Sequence, residues 1–363
     1  MNFNSLQSLH QTLLKLGCKT QHCDRFYRSL FRVVPPIETT DERFPKAFRD
    51  ALPELHQNLS EVLTVVDSQQ GDEKDSLKLL FSLADGHTIE SVLLPREGVC
   101  VSCQVGCAVG CLFCMTGQSG LIRQLTDLEI VAQVIEAKRR RPETRKVVFM
   151  GMGEPSHNLK NVMSAITFLG TYSQIPHKNL VLSTVGDQRV FDAINASVVK
   201  PALAISLHTT VEAKRKKLLP RAGKITIESL IEQAESYARA TGYPTQYQWT
   251  LMDGVNDGDD EVSNIISLLS GHYAMMNFIP VNSVDNRSFI RPSEARRKAM
   301  AQALKKAYIV AKFRHSAAQD VEGGCGQLRS RHIKNESLVR FPKDAGIAVD
   351  DALIFGKGER DDQ

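Results

Sequence analysis

A chain of 363 residues with a net charge of +4, 42% hydrophobic and 24% charged, has the balance of a globular protein and room for one large α/β domain plus a smaller appendage. No stretch approaches the roughly eighteen apolar residues of a membrane span, and the N-terminus lacks a basic-then-apolar signal pattern, so a cytoplasmic, non-membrane protein is expected. Eight cysteines are few for this length, and five of them, Cys100, Cys103, Cys107, Cys111 and Cys114, fall within fifteen residues. A disulfide scaffold would spread them out, so the crowding reads as metal and redox chemistry in a reducing compartment.

Along the chain, Leu6, Leu9, Leu13, Leu14 and Leu16 recur at helical spacing before Gly17, and a second periodic segment opens near Asp24. Residues 1–55 are therefore expected to form a helical accessory domain, in which Cys18 and Cys23 lack nearby ligand partners and read as packed thiols. The period then changes. Glu61 to Val66, Leu77 to Leu83 and Thr88 to Leu94 alternate or run apolar with β-formers, and Ala84-Asp85-Gly86-His87 is a hairpin turn signal. Residues 56–97 are read as a β-hairpin linker region, 98–335 as the core and 336–363 as a C-terminal tail.

The core reads as strand then helix, repeated six times. The expected strands are Val99 to Gln104, Lys146 to Met150, Asn179 to Ser183, Ala202 to Leu207, Gln246 to Leu251 and Ala274 to Ile279. Helical segments at 126–140, 159–171, 187–195, 226–241, 259–270 and 293–311 alternate with them, several opened by capping residues such as Thr126, Asp187 and Thr226. Six such units predict a parallel, barrel-like sheet, a partial (β/α)6 TIM-like barrel. Polar residues interrupt the pattern where strands end: Gly151-Met152-Gly153-Glu154-Pro155, Ser183-Thr184, Ser206-Leu207-His208, Asp253 to Asp257, and Pro280-Val281-Asn282. The C-terminal strand ends of such barrels form the active-site rim, so these segments should meet around one pocket, with Glu154 as an acceptor for a ligand ammonium.

Within this frame, Cys107-Ala-Val-Gly-Cys111-Leu-Phe-Cys114 presents three thiols at a C-x3-C-x2-C spacing, with Gly106 and Gly110 letting the backbone wrap. A [4Fe-4S] cube has four iron corners, so three cysteines leave one open to a small molecule. A zinc knuckle lacking its fourth ligand is the other reading, although structural zinc sites close with four. Basic residues outnumber acidic ones from Arg287 to Arg340, and Lys138 to Arg141 and Lys214 to Lys217 add short runs. Such excess attracts a phosphate backbone, or is simply a solvated face. Cys325 follows Gly323-Gly324, a turn that can expose a reactive thiol.

Together, the cluster spacing, Cys100-Val-Ser-Cys-Gln-Val-Gly-Cys107, Gly151 to Pro155, Leu182-Ser183-Thr184, Ala204 to His208, Asp253 to Asp257 and Cys325-Gly326-Gln327-Leu328 resemble the RlmN/Cfr family of radical S-adenosylmethionine (SAM) RNA methyltransferases, over about 60–340. The resemblance implies a radical SAM barrel whose [4Fe-4S] cluster is held by Cys107, Cys111 and Cys114, and two SAM molecules per turnover. One SAM would methylate Cys325; the second, cleaved at the cluster to a 5'-deoxyadenosyl radical, would activate that S-methyl group for addition to an adenine carbon, C2 in preference to C8. Cys100 matches the cysteine that resolves the protein–RNA adduct by forming a disulfide, and Glu90 the proton acceptor. Gly153, Glu154, Ser183, Ser206, Leu207, His208 and Asn282 match the SAM pocket. The implied partners are rRNA or tRNA and an electron donor such as flavodoxin, with the protein acting as a monomer. Met115 to Leu121, Gly323-Gly324 and Cys103 depart from the ribosomal enzymes' pattern, as a divergent paralogue would. A radical SAM enzyme with a non-RNA substrate, or a non-enzymatic metal-containing RNA-binding protein, are the competing readings.

Overall fold

The structure, a computed structural model, describes residues 3–71, 76–118, 120–281, 289–313 and 328–329. Of the residues singled out above, Asn282, Arg287, Gly323-Gly324, Cys325, Gly326, Gln327, Arg340 and the tail lie outside these.

Three helices open the chain: α1 (Leu6–Lys15), α2 (Thr20–Leu30) and α3 (Lys46–Glu61). Their apolar faces bury Leu9, Leu13, Phe26, Phe48 and Leu55, and Cys18 and Cys23 pack among them. Strands β1 (Leu63–Gln70), β2 (Leu77–Leu83) and β3 (Thr88–Leu94) follow, then β4 (Gly98–Cys100), β5 (Gln104–Gly106), the short α4 (Met115–Gln118) and β6 (Leu121–Gln124). Alternation then sets in: α5 (Asp127–Arg140), β7 (Lys146–Phe149), α6 (Leu159–Tyr172), β8 (Leu180–Thr184), α7 (Gln188–Ala196), β9 (Ala202–Ser206), α8 (Glu212–Leu218), α9 (Ile227–Thr241), β10 (Thr245–Leu251), α10 (Asp259–Leu269), β11 (Ala274–Pro280), α11 (Glu294–Lys306) and β12 (Val310–Phe313). The side chains of Thr126, Asp187 and Thr226 each accept a hydrogen bond from a first-turn N–H of α5, α7 and α9.

Ten strands form one sheet in the order β1-β2-β3-β4-β7-β8-β9-β10-β11-β12, while β5 and β6 pair separately. From β4 to β12 neighbours run parallel, as a βα repeat requires. On the other side of β4, β3, β2 and β1 continue the same sheet antiparallel. The result is the mixed α/β fold expected, with an open sheet: among the described residues no pairing joins β12 to β1.

The outer face carries Val99, Val147, Phe149, Leu182, Ile205 and Trp249 into the main core with the helices. The inner face holds a smaller cluster of Cys100, Val148, Val181, Ala202 and Ala204. The N-terminal helices are tied to the outer layer: Tyr27 meets Phe168 and Tyr172 of α6, and Asp127 accepts from the Leu6 N–H and the Ser164 hydroxyl.

Two local expectations change. The first core strand stops at Cys100, because Val101 and Cys103 turn away to exchange backbone hydrogen bonds with Gly151 and Met152. The expected helix 293–311 ends at Lys306, where a turn through Tyr308, at a left-handed φ of 59°, leads into β12. The basic run Lys214 to Lys217 lies in α8, a helix without a clear apolar period. Among the described residues no helix is long and apolar enough to cross a membrane.

Candidate active site

The cysteine loop runs from the end of β5 over the C-terminal ends of the strands. Gly106 and Gly110 take φ of 81° and 71°, and a Cβ on Gly106 would lie 1.9 Å from the Gly120 carbonyl oxygen, so only glycine lets β5 turn there. The loop is pinned by Cys107 N–H to the Gly120 carbonyl (2.9 Å), Leu112 N–H to the Leu218 carbonyl (3.1 Å) and Arg221 N–H to the Val109 carbonyl (3.2 Å). The last two bonds anchor it to α8 and the residues that follow. Cys107 packs with Val109, Val185, Leu218 and Met252, and burial, reinforced by the nearby Cys114 and Glu154, pushes its thiol up to about 12. Cys111 is raised by burial and then by Cys114, Cys107 and Glu154. Cys107 and Cys111 thus sit in a desolvated environment, with Cys114 close enough to act on both.

Beside this loop, the turn after β7 is built around glycines. A Cβ on Gly151 would meet the Val101 carbonyl oxygen at 2.7 Å, and one on Gly153, at φ 106°, would meet the Gln104 side chain at 2.6 Å. The close approach lets Gln104 Oε1 accept the Glu154 N–H at 2.7 Å. The Glu154 carboxylate is fixed by three donors: Ser156 N–H (3.0 Å) and the Thr184 hydroxyl (2.5 Å) on Oε1, and Val185 N–H (3.1 Å) on Oε2. A carboxylate so held is ready to take a cation. Arg215 is buried, donates to the Val185 and Ser206 carbonyls, and is pulled below its ordinary pKa by burial.

After β9, His208 sits at a left-handed φ of 62°, its ring 4.6 Å from that of Phe113 in the cysteine loop. Its Nδ1 accepts the Thr250 N–H at 2.9 Å, which leaves the proton of the neutral ring on Nε2. Burial, then Arg215, lowers its pKa to about 3, so the ring is a neutral donor. Leu207 turns its side chain into the outer core, so only its backbone can face a ligand.

Strand register assigns the other residues to faces, because directly paired residues project to the same side. Val92 pairs with Cys100, Cys100 with Val148, Val148 with Val181 and Ser183 with Ala204, so Cys100 and Ser183 belong to the inner face. Ser206, two residues beyond Ala204, shares it, as does Glu90, two before Val92. Glu90 is not a solvent-facing strand residue: its side chain is 2% exposed, 3.7 Å from the equally buried Lys78 Nζ. Glu90 Oε1 also accepts the Arg329 N–H at 2.8 Å. Gln133 braces the region by accepting from the Ser91 hydroxyl and Ser102 N–H and donating to the Ser102 carbonyl. Cys100, at the top of β4, is a free thiol.

The sheet therefore gathers Glu90, Cys100, Ser183 and Ser206 on one face, with Glu154, His208 and the cysteine loop above it. The sequence did not single out Gln133 or Arg215 for these positions, and it marked Thr184 only as the neighbour of Ser183 at a strand end. Arg215 was visible only as part of a basic run, and Gln133 carried no signal, since its partners come from three separate segments.

Residues 101–266 match the family model of the radical SAM superfamily. The chain is 53% identical to a probable RNA methyltransferase of Methylibium petroleiphilum, over 95% of this chain and 98% of that protein. It is 52% identical to a probable RNA methyltransferase of Aromatoleum aromaticum, over 98% and 99%. A radical SAM methyltransferase from Sphaerobacter thermophilus has the same fold, with a TM-score of 0.77 and 34% identity over 89% of this chain and 97% of that one. Radical SAM enzymes use a [4Fe-4S] cluster and SAM, and the residues here fit both. Among the described residues no three His, Cys, Asp or Glu side chains close on a single metal ion. A cube takes its thiolates at separate irons, so the cysteine loop need not bring them to one point. The chain belongs to the RlmN/Cfr family of radical SAM methyltransferases.

Proposed function

We propose that the protein is a cytoplasmic, monomeric RNA methyltransferase that modifies an adenine carbon, C2 in preference to C8, in rRNA or tRNA, with Cys325 as methyl carrier. The observation that carries this reading is that Cys100 and Glu90 lie on the same inner face, together with the bond that Glu90 accepts from the N–H of Arg329, which follows Cys325 by four residues in sequence. A radical SAM enzyme that abstracts hydrogen directly from its substrate needs neither a resolving thiol nor a carboxylate beside it. The names of the two bacterial relatives, each a probable RNA methyltransferase, support the choice of RNA.

Cys107, Cys111 and Cys114 would hold the cluster, and Gly153, Glu154, Ser183, Ser206, Leu207, His208 and Asn282 would hold SAM. Bound there, the pair supplies one-electron cleavage of the SAM sulfonium, with an electron from a donor such as flavodoxin, and so a hydrogen-abstracting carbon radical. Glu154 accepts the SAM ammonium, its orientation set by Thr184 and Val185. His208 offers an Nε2–H donor that stays uncharged at neutral pH. Cys325 would take the methyl group of one SAM by displacement, with S-adenosylhomocysteine as the leaving group, and with a second SAM bound would lose one hydrogen atom from that methyl in the radical step. Glu90 would receive the proton lost from the adenine carbon as the radical adduct returns one electron to the one-electron donor system. Cys100 would then attack the Cys325 sulfur: the S–S bond forms as the bond from that sulfur to the methylene carbon breaks, the released carbon takes a proton to become the methyl group on the base, and an external thiol reduces the disulfide.

Peptide mass spectrometry tests the carrier. After incubation with SAM and reductant, Cys325 should bear one extra methyl, and a Cys100→Ala variant should accumulate covalent protein–RNA adduct. A Cys325 that stays unmodified, or full turnover by Cys100→Ala, refutes the reading. Nucleoside mass spectrometry of rRNA and tRNA from cells with and without the protein identifies the base.

A further inference from the structure

On the inner face, a polar row crosses four strands. Ser206 of β9 pairs with Gln248 of β10, Gln248 with Asn277 of β11, and Asn277 with Lys312 of β12. Paired residues project to one side, so the row continues the face that carries Ser183 and Ala204. Its two central members are amides with almost no exposure, 3% for Gln248 and 0% for Asn277. Neither is fully satisfied. Asn277 Nδ2 donates to Gln246 Oε1 at 3.3 Å and Gln248 Nε2 reaches the Gln246 carbonyl at 3.4 Å, but Gln248 Oε1 and Asn277 Oδ1 have no partner among the described residues. At the open end of the row, Lys312 is exposed.

Buried polar groups are normally paired, and an orphaned acceptor destabilises the fold that holds it. Two such acceptors on adjacent strands, roughly 4.8 Å apart by strand spacing, match a ligand group with two donor hydrogens. Ser206, at the other end of the row, can donate as well as accept; the two orphan oxygens can only accept. With both amide nitrogens directed to Gln246, the pair presents its oxygens and favours an exocyclic amine over a carbonyl at the same place, the difference between adenine and guanine at position 6.

We propose that Gln248 and Asn277 form an acceptor pair for the exocyclic amine of an adenine, with Lys312 at the row's open end for that nucleotide's phosphate. The adenine is that of the substrate nucleotide or of SAM; the substrate assignment rests on the adenine-methylating function proposed above. A base extruded from folded RNA could enter from the Lys312 side.

Equilibrium dialysis of the cluster-loaded protein with AMP against IMP, and with 5'-deoxyadenosine plus methionine against 5'-deoxyinosine plus methionine, separates the two sources. At least a tenfold preference for the amino form is expected in one arm. The AMP arm identifies the substrate base, and the deoxyadenosine arm identifies SAM. Gln248→Met and Asn277→Leu should abolish that preference while leaving the melting temperature unchanged or raised, because each removes an unpaired buried polar group. If AMP is the ligand, Lys312→Ala should weaken AMP at least threefold and leave adenosine unaffected. Equal binding of amino and oxo forms in both arms, or no measurable binding in either, overturns the proposal on the unmodified protein, whatever the variants do. These readouts need no methyl transfer, so they stand or fall separately from the reaction.

Discussion

Three glycines separate the conformational from the steric demands of the site. Gly86, in the turn between β2 and β3, has φ 83° and nothing within 4 Å of the place a Cβ would take, so Gly86→Ala measures the left-handed backbone penalty alone, about 1–2 kcal/mol. Gly151 is not left-handed, but its Cβ would lie 2.7 Å from the Val101 carbonyl oxygen and 2.8 Å from Ser102 Oγ; Gly151→Ala measures overpacking, about 1–3 kcal/mol. Gly153 combines both, with φ 106° and a Cβ 2.6 Å from the Gln104 side chain and 2.8 Å from its backbone nitrogen. The backbone nitrogen cannot swing aside as a side chain can. Gly153→Ala should therefore lose about 2–5 kcal/mol, the sum of the two effects. Because Gln104 also accepts the Glu154 N–H, this variant should weaken SAM binding at least tenfold, whereas Gly86→Ala leaves it unchanged. Denaturant unfolding followed by circular dichroism gives the stabilities, and calorimetric titration gives the affinity. A Gly153→Ala protein no less stable than Gly86→Ala, with SAM affinity intact, would refute the assignment of this turn to the ligand pocket.

Two further outcomes follow from buried polar groups. His208 falls from its ordinary 6.5 to about 3 in the fold, so between those values the unfolded chain binds a proton that the folded chain refuses. Its contribution to stability is complete above pH 6.5 and is lost on acidification toward pH 3, on the order of 1.4 kcal/mol per unit. In His208→Asn that slope should disappear from unfolding midpoints measured against pH; identical slopes would exonerate His208. Glu261 is fully buried and receives the Thr209 hydroxyl, the Thr210 N–H and hydroxyl, and Lys214 Nζ at 2.8 Å. Glu261→Ala should lose about 3–5 kcal/mol and raise hydrogen exchange across 209–214, and a loss below about 1 kcal/mol would contradict this account.

The repeat of the core was legible because its parallel strands are short apolar runs, as in Leu180–Thr184 and Ala202–Ser206, and because Thr126, Asp187 and Thr226 mark helix starts. What escaped detection depends on partners distant in sequence. Strand β12 follows a helix directly, and its Val-Ala-Lys-Phe becomes a strand only because β11 offers a free edge. The burial of Glu90 was hidden for the same reason: the antiparallel register of β2 on β3, which sets Leu80 opposite Glu90 and Lys78 opposite Val92, puts the Glu90 and Lys78 side chains on one face, and no local pattern shows it. The strand-end glycines were visible as a motif, yet the contact that makes Gly153 irreplaceable comes from Gln104, forty-nine positions earlier.

The sheet extends on both sides of the segment shared with the whole superfamily. Residues 101–266 carry the cysteine loop, while Glu90 and Cys100 precede that segment and Asn277 and Lys312 follow it. Each flanking strand joins through main-chain hydrogen bonds, which are indifferent to the side chains they carry. The two margins can therefore accept substitutions that redirect chemistry while the shared middle keeps its geometry. Selectivity in such an enzyme can evolve by editing its borders.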